Sequence, residues 1–363
     1  MTLPLLFAGG GTGGHVFPLV AVAQAVRALR SDAEITFVGT ARGMESDFLG
    51  KLGERLELLD ILPIKGGGIT GAAKGVVRAA RSLPAAHRLV AKLRPRAVLS
   101  IGGYAAGPVA LAARAMGIPL ALLEPNSILG LANLLVGPIV QRAYLAFPTA
   151  ERYVRSSAVR QTGVPLRIGF SPQPYEPSND LFRVLVIGGS HGAITLNRNV
   201  PSAIALCQKQ FSMPMHVVHQ SGKNEANEVQ LAYEKAGVAE LVDVVPFIDD
   251  VPSVLAQSDL VIQRSGAGAV AEVCAIGRAS LLVPYPFAAG NHQVHNARAL
   301  EEAGAALWVA SDNASSENLA SHIVRLALDV DLRVRMAEAA RKHGRPEAAA
   351  AIAKDLLELA EVG

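Results

Sequence analysis

The chain has 363 residues, of which half are hydrophobic and 18% are charged, and its 34 glycines follow no three-residue period. These values exclude an intrinsically disordered chain, a coiled coil and a collagen helix. The formal net charge of +3 conceals an uneven distribution, because residues 1–163 carry 18 basic and 9 acidic side chains and the remainder carries 16 and 22.

The cellular compartment is indicated by the cysteines and by the apolar segments. Cys207 and Cys274 are too few and too widely separated for a disulfide scaffold, which favours a reducing, cytosolic compartment. The apolar N-terminus lacks a basic segment and reaches glycine at residue 9, so no signal peptide is expected. No uninterrupted run of about 18 apolar residues occurs, so no membrane-spanning helix is expected.

Short apolar runs alternate with helical patterns in both halves of the chain, which is typical of βαβ units with parallel sheets. The first half contains six predicted strands: Leu3–Ala8, Ile35–Val38, Leu56–Leu62, Ala97–Ile101, Leu120–Leu123 and Ala143–Phe147. The second half contains six more: Arg183–Ile187, His216–His219, Val242–Val245, Leu260–Gln263, Ser280–Val283 and Ala306–Val309. Residues 315–361 are predicted as three helices, and three prolines within residues 171–178 mark a linker. We therefore predict two doubly wound α/β domains that face each other across a cleft and bind ligands at the carboxyl ends of their strands.

A basic segment follows the third predicted strand, because residues 61–123 contain nine Lys or Arg and no acidic residue. Five of these side chains fall on one helical stripe: Lys74, Arg78, Arg81, Arg88 and Lys92. Pro84 is predicted to divide this helix into two shorter pieces. The stripe fits a solvated face or attraction to an anionic membrane, and the absence of acids favours the membrane. Nucleic acid is not expected as a partner, because the segment has one aromatic residue, Tyr104, and no nucleic-acid module.

Three glycine-rich loops, at residues 8–15, 102–108 and 188–193, are each predicted to lie between a strand and a helix. Glycine lets the backbone approach a ligand closely, and the start of a helix offers unpaired N–H groups to a phosphate. In the third loop, Ser190 and the backbone N–H groups of Gly189 and Gly192 are predicted to bind a diphosphate without a metal.

The first loop leaves a second interpretation open, because Gly9, Gly11 and Gly14 fit the G-x-G-x-x-G of dinucleotide-binding domains. Residues 38–42 lack the acidic residue that binds the ribose of NAD, although an arginine there can accept the 2′-phosphate of NADP. No G-x-x-x-x-G-K-[ST] occurs, which excludes a P-loop NTPase. The Asp-x-Asp at residues 329–331 lies among the C-terminal helices, so we expect neither a catalytic metal nor a cofactor.

Five motifs occur in a fixed order along the chain. They are TGGHVFP at residues 12–18, IGGYAAGP at 101–108, GGSHGA at 188–193, RSGAGAVAE at 264–272 and NHQVHNA at 291–297. Together they resemble the MurG family of bacterial UDP-N-acetylglucosamine (UDP-GlcNAc) transferases, from about residue 3 to at least residue 309. The chain departs from this family at Leu123, Pro125 and Ser127, where His, Gln and Gly are common, and at His191, where Gln is frequent.

The resemblance implies a GT-B fold, in which two Rossmann-like domains face a cleft. It implies an acceptor-binding and membrane-associating domain at residues 1–165, a UDP-GlcNAc-binding domain at residues 166–345, and a returning C-terminal helix at residues 346–363. The implied reaction moves GlcNAc from UDP-GlcNAc to the C4 hydroxyl of N-acetylmuramic acid (MurNAc) in undecaprenyl-diphosphate-MurNAc-pentapeptide, called lipid I. This inverting, metal-independent transfer forms lipid II for peptidoglycan synthesis, and with it serves cell shape and division.

By the same resemblance, substrate-binding positions are expected in both domains: Thr12, Gly13, Gly14, Tyr104, Asn126, Arg167, Ser190, Ile248, Ala267, Gly268, Ala269, Val270, Ala271, Glu272, His292 and Gln293. Glu272 is expected to accept hydrogen bonds from the ribose hydroxyls, and the backbone of Ile248 is expected to contact uracil. Gln293, with His292 nearby, is expected to bind the hydroxyl groups of GlcNAc, where a buried amide distinguishes sugar epimers. Thr12 and Tyr104 are expected to orient the acceptor.

The general base is left open between His15 and Glu124. His15 begins a helix and titrates in a suitable range, but it can equally bind the lipid diphosphate as a neutral donor. Glu124 is the only acid between residues 61 and 150, so it either neutralises a neighbour or acts in catalysis.

The implied partners are UDP-GlcNAc, the polyprenyl-linked acceptor, an anionic membrane surface, and proteins of cell-wall synthesis or division. The implied location is peripheral, on the cytoplasmic face of the cell membrane. The alternatives are another UDP-GlcNAc-using GT-B enzyme such as a 2-epimerase, a non-catalytic scaffold, and an NADP-dependent oxidoreductase.

Overall fold

A computed structural model describes the chain except for residues 1, 11–12, 41–48, 51, 60–68, 104, 178–179, 190–191, 211–213 and 363, and describes only the backbone of residues 13, 69–80 and 362. The chain divides into two compact units. The N-terminal unit comprises Met1–Ile168 with Glu347–Gly363, and the C-terminal unit comprises Gly169–Pro346.

In the N-terminal unit, seven strands of the described chain form a parallel sheet with the order β3-β2-β1-β4-β5-β6-β7. They are β1 (Leu3–Gly9), β2 (Ala33–Thr40), β3 (Arg55–Leu59), β4 (Ala97–Gly102), β5 (Leu120–Glu124), β6 (Arg142–Leu145) and β7 (Val159–Gln161). Its first four described helices are α1 (Gly13–Leu29), α2 (Ile69–Leu93), α3 (Ala106–Ala115) and α4 (Leu131–Val136). The strand order reverses between β1 and β4, and ligands bind such sheets at this switch point.

The central strand β1 is apolar throughout because both of its faces are buried. Leu5 and Phe7 belong to one hydrophobic core, which also contains Val16 of α1. Leu6 and Ala8 face the opposite way and belong to a second core that contains residues of α3. A strand covered by helices on both faces cannot alternate apolar with polar residues, which explains the continuous apolar run.

In the C-terminal unit, six strands of the described chain form a parallel sheet with the order β10-β9-β8-β11-β12-β13. They are β8 (Phe182–Ile187), β9 (Met215–Gln220), β10 (Val242–Val245), β11 (Leu260–Gln263), β12 (Ala279–Leu282) and β13 (Ala306–Trp308). The helices here are α5 (Ile194–Gln208), α6 (Ala226–Ala236), α7 (Val251–Gln257), α8 (Ala267–Ile276), α9 (His292–Glu302), α10 (Ser316–Leu328) and α11 (Val330–His343). The switch point lies between β8 and β11, where Ile187 is the register partner of both Gln220 and Gln263.

The last helix, α12 (Ala348–Val362), belongs to the N-terminal unit. Its apolar residues, among them Ile352 and Leu356, join the core formed by α1 and β1. The carboxylate of Asp355 accepts hydrogen bonds from the Tyr144 hydroxyl at 2.8 Å and from Nε of Arg142 at 3.0 Å. Helix α12 is therefore held to the sheet by apolar packing and by a polar contact with β6.

The structure confirms the two doubly wound parallel sheets and the three C-terminal helices, and it corrects two predictions. Strand β7 was missed because a three-residue strand is too short to show a periodic pattern. The predicted break at Pro84 is wrong, since α2 runs through it. Pro84 lies on the exposed side of α2, while Ala86 and Val90 are fully buried, so packing keeps the helix intact despite the lost N–H group.

Candidate active site

The first two glycine loops meet at the switch point of the N-terminal sheet. Gly9 and Gly102 are register partners at the carboxyl ends of β1 and β4. Gly103 has a φ of 87°, and a Cβ atom there would lie 2.6 Å from the Gly10 carbonyl oxygen. The two backbones touch directly, so residue 103 must be glycine for this loop pair to form.

His15 lies in the first turn of α1, next to these loops, and it is half-buried. Its Nδ1 atom lies 2.9 Å from the carbonyl oxygen of Gly10. A carbonyl can only accept a hydrogen bond, so Nδ1 carries the proton and donates it. In the neutral ring the lone pair is then on Nε2, and the hydrogen bond to Gly10 fixes the orientation of the ring.

Glu124 ends β5 and is 2% exposed. Its Oε1 accepts hydrogen bonds from the backbone N–H of Asn126 at 3.0 Å and from the Asn126 side chain at 3.2 Å. Its Oε2 accepts from the Gly130 N–H at 3.1 Å and from Nδ2 of Asn133 at 2.8 Å. Burial raises the pKa of Glu124, and these hydrogen bonds, led by that from Asn133, oppose the rise. The carboxylate therefore organises the loop that carries Asn126.

The remaining predicted positions of the N-terminal unit are placed as follows. Gly13 and Gly14 begin α1, whereas Thr12 and Tyr104 lie outside the described residues. The exposed Arg167 stacks its guanidinium on Phe17 of α1, with its carbon 5.3 Å from the ring centre. Arg167 thus lies beside the helix that begins near His15.

The third glycine loop follows β8 and leads into α5, as the pattern predicts. Ser190 lies outside the described residues. The predicted phosphate donors, the N–H groups of Gly189 and Gly192, each donate to a partner within the protein in this structure. Gly189 donates to Oε1 of Gln220 at 3.1 Å, and Gly192 donates to the Gly189 carbonyl at 2.9 Å. The first turn of α5, which follows this loop, has N–H groups that lack acceptors within the helix.

Helix α8 carries most of the predicted donor-binding residues. Gly266 is its N-cap, Ala267, Gly268, Ala269 and Val270 form its first turn, and Ala271 and the half-buried Glu272 begin the second. This first turn is connected to the sheet, because Nε2 of the buried Gln263 donates to the Ala269 carbonyl at 3.0 Å.

The loop before α9 brings Gln293 next to the start of α8. Oε1 of Gln293 accepts the backbone N–H of Tyr285 at 2.9 Å, and the Gln293 carbonyl accepts the Ser265 hydroxyl at 2.8 Å. His292 contacts the Ala289 carbonyl through Nδ1 at 2.8 Å. Ile248 lies half-buried in the loop after β10. Gln293 and the first turn of α8 are therefore neighbours at the carboxyl ends of β11 and β12.

Sequence reasoning missed Arg264, which connects several of these loops. Its Nη1 donates to the carbonyls of Val283 and Pro284 at 3.0 and 3.1 Å, and its Nη2 donates to the Thr195 hydroxyl at 3.3 Å. Burial lowers the pKa of Arg264. The signal that could have identified Arg264 is its position, a basic residue directly after a buried apolar strand. Polar residues that end buried strands are a similar signal for Gln220 of β9 and Gln263 of β11.

No group of three or more His, Cys, Asp or Glu side chains that could hold a metal occurs among the described residues. Asp329 of the Asp-x-Asp motif is instead the N-cap of α11, where its side chain accepts the Leu332 N–H at 2.8 Å. Among the helices that the structure describes, none is both long and apolar enough to cross a membrane.

Comparison with known proteins places both units in one family. Residues 5–145 match the glycosyltransferase family 28 N-terminal domain, and residues 183–352 match the glycosyltransferase family 28 C-terminal domain. The chain is 52% identical over 358 residues to the UDP-N-acetylglucosamine–N-acetylmuramyl-(pentapeptide) pyrophosphoryl-undecaprenol N-acetylglucosamine transferase of Sorangium cellulosum, covering 98% of this chain and 88% of that protein. It is 40% identical to the transferase of the same name from Anaeromyxobacter sp. strain K, covering 98% and 92%.

Solved structures agree with this assignment. The crystal structure of Acinetobacter baumannii MurG matches with a TM-score of 0.82 and 30% identity, covering 99% of this chain and all of that one. A putative UDP-N-acetylglucosamine 2-epimerase from Listeria monocytogenes matches with a TM-score of 0.68 and 17% identity, covering 99% and 97%. The second likeness shows a shared fold alone.

Proposed function

The chain belongs to glycosyltransferase family 28 and to the MurG transferases within it, and from this premise we propose how its residues perform the transfer. The enzyme moves GlcNAc from UDP-GlcNAc to the C4 hydroxyl of MurNAc in lipid I and forms lipid II. The observation that carries this function is the 52% identity over 98% of the chain to a transferase with that activity in its name.

The N-terminal unit handles the acceptor, and His15 is the general base. Nδ1 donates its proton to the Gly10 carbonyl, with 2.9 Å between nitrogen and oxygen, so the lone pair of the neutral ring is on Nε2. Nε2 takes the proton of the C4 hydroxyl. As that proton leaves, the hydroxyl oxygen bonds to the anomeric carbon of GlcNAc from the face opposite UDP. In the same step the bond between the anomeric carbon and UDP breaks, UDP leaves with the electron pair, and the configuration inverts.

Glu124 supports this unit as an organiser rather than as the base. Its buried side chain accepts three hydrogen bonds from Asn126 and Gly130, in the segment between β5 and α4, and a fourth from Asn133 of α4. A carboxylate so occupied has no lone pair directed towards a substrate. Its role is to hold Asn126 in place for binding.

The C-terminal unit binds the donor through the loops at the carboxyl ends of its strands. The N-terminus of α5, with Ser190, stabilises the charge that develops on the departing diphosphate. Glu272 accepts hydrogen bonds from the ribose, and the backbone of Ile248 contacts uracil. Gln293 donates to the GlcNAc hydroxyls through Nε2, since its Oε1 already accepts the Tyr285 N–H.

The proposed location is the cytoplasmic face of the cell membrane, with peripheral attachment. Arg81, Arg88 and Lys92 are exposed on α2, and each basic residue near an anionic bilayer contributes about 1 kcal/mol of attraction. The acceptor is anchored by its polyprenyl chain, so an enzyme at the surface meets it there. Association with cell-wall or division proteins stays a prediction from the resemblance.

The activity is tested by transfer of labelled GlcNAc to a short-chain analogue of lipid I. We expect a labelled disaccharide-lipid from UDP-GlcNAc, little product from UDP-GalNAc, and no inhibition by EDTA. Interconversion of UDP-GlcNAc with its 2-epimer, in the absence of transfer, would support the epimerase alternative instead. Oxidation of NADPH without transfer would support the oxidoreductase.

Two variants assign the base within the same assay. His15→Ala removes the proton acceptor, and we expect kcat to fall about 10²- to 10⁴-fold while UDP affinity stays unchanged. Glu124→Gln preserves shape but alters the loop of Asn126, and we expect a rise in KM with a smaller loss of kcat. Equal losses of kcat in both variants would contradict the assignment of His15.

A further inference from the structure

The side chain of Gln220 binds both polar groups of one residue in the third glycine loop. Its Oε1 accepts the Gly189 N–H at 3.1 Å, and its Nε2 donates to the Gly189 carbonyl at 3.0 Å. Gln220 is 4% exposed and ends β9, next to β8. A planar amide thus holds the peptide groups on both sides of residue 189, whose φ of 78° requires glycine.

The backbone of residues 220 and 221 supports the rest of this loop. The Gly188 N–H donates to the Gln220 carbonyl at 3.0 Å. Gly192, with a φ of 75°, passes so close to the Ser221 carbonyl that a Cβ atom would collide with its oxygen. Gly188 and Gly189 therefore bind Gln220, and Gly192 packs against Ser221.

A buried hydrogen-bond network fixes this surface in turn. His219 is fully buried, with Nδ1 2.8 Å from the Tyr233 hydroxyl and Nε2 3.1 Å from Oδ1 of Asn197. The amide nitrogen of Asn197 donates to the Ser221 carbonyl at 2.9 Å and to Glu225 at 2.6 Å. The network connects β9 with α5 and α6, so residues 219–221 cannot shift independently of the sheet.

We propose that Gln220 is a positioning residue for the diphosphate of UDP-GlcNAc, because it holds the third glycine loop in the conformation that the diphosphate needs. This inference rests on the proposed function. Gln220 acts through the loop and not on the substrate itself. A loop that is already ordered loses less conformational entropy on binding, so the amide increases donor affinity by preorganisation.

The amide of glutamine presents a donor and an acceptor side by side, at the distance that the two groups of Gly189 need. Glutamate retains the acceptor for the Gly189 N–H but directs a second oxygen at the Gly189 carbonyl. Methionine has a similar length and leaves both groups of Gly189 without this partner. Both substitutions release the loop, and methionine does so without burying a charge.

The experiment measures the affinity of UDP by isothermal titration calorimetry and the affinity of uridine by competition with UDP. Both are measured for the 363-residue enzyme and for the variants Gln220→Glu and Gln220→Met. We expect both variants to bind UDP about tenfold more weakly, which corresponds to about 1.4 kcal/mol. We expect uridine affinity to stay within about twofold, because the affected loop contacts the diphosphate. In the transfer assay, KM for UDP-GlcNAc should rise by the same factor while KM for the acceptor is unchanged.

The matched control is Gln141→Met, which removes an amide oxygen that accepts the Leu120 N–H at 2.9 Å in the N-terminal unit. This control should bind UDP as the parent does, and thermal unfolding should show all variants folded. Equal loss of UDP and uridine affinity, or a lowered Tm with unchanged UDP affinity, would overturn the role of Gln220. Failure of the parent enzyme to bind UDP would overturn the proposed function, and with it this inference.

Discussion

Burial and hydrogen-bond partners decide the chemistry of the titratable residues around both sheets. His15 and His219 are both histidines near a glycine loop, yet their surroundings differ. His15 is half-buried with one nitrogen engaged, whereas His219 is fully buried with both nitrogens engaged. This difference is why His15 is the proposed base, whereas the contacts of His219 are structural.

His219 makes the stability of the enzyme sensitive to acid. Burial lowers its pKa from 6.5 to about 3, so the folded chain resists protonation that the unfolded chain accepts. Above about pH 6.5 the titration of His219 does not change the free energy of unfolding. As the pH falls from there towards 3, this one group lowers the free energy of unfolding by about 1.4 kcal/mol per pH unit. We expect His219→Gln, measured by urea unfolding across this range, to lose stability less steeply on acidification.

The control for this measurement is His216→Gln on the same strand. His216 lies 3.0 Å from Asp243 with 41% of its side chain exposed. Its replacement leaves the buried ring of His219 in place, so the parent slope should persist. An unchanged slope in His219→Gln would show that other groups cause the acid sensitivity.

At the scale of the element, tertiary contacts explain the continuity of one helix and the packing of another. Helix α2 continues through Pro84 because its buried face remains packed. Helix α12 ends the chain but completes the core beneath β1, and its carboxylate at Asp355 satisfies the buried hydroxyl of Tyr144. Burial and the adjacent carboxylate raise the pKa of Tyr144, so this hydroxyl remains a donor.

Asp355→Ala should destabilise the N-terminal unit. The change leaves the Tyr144 hydroxyl without its acceptor and breaks contacts with Arg142 and with Arg160, which lies 3.5 Å away. We expect a loss of about 1–3 kcal/mol in the free energy of unfolding, measured by chemical denaturation. The control Glu361→Ala also changes α12 but removes only an exposed ion pair with Arg30, so it should cost clearly less stability than Asp355→Ala. Equal effects would show that the Asp355 contacts add little to the packing of α12.

At the scale of the whole molecule, the two halves carry opposite charge. Residues 1–163 have an excess of basic residues, and the remainder has an excess of acidic ones. Charge of one sign concentrated in one half favours an oriented approach to an anionic surface. The exposed residues Arg81, Arg88 and Lys92 of α2 make this half the proposed membrane side.

Binding to vesicles that contain anionic lipid tests this orientation. We expect affinity that falls steeply with salt, and a loss of about a hundredfold on reversing Arg81, Arg88 and Lys92 to Glu. The control reverses three exposed lysines of the C-terminal unit by the same total charge: Lys209, Lys235 and Lys342. Equal losses in both triple variants would show that net charge alone, and not a basic face of α2, drives the attachment.

The sequence by itself determined the two parallel sheets, because strands buried on both faces must be apolar and helices between them must be amphipathic. It also indicated the family, because loops that contact a substrate keep particular residues at particular spacings. Only the tertiary structure decided which groups remain open for chemistry. Gly189 and Gly192 were expected to offer N–H groups, but those groups are taken by Gln220 and by the loop itself. For Gly189 the reason is that its acceptor, Gln220, lies 31 positions away in the chain, and only the pairing of β9 with β8 brings the two together.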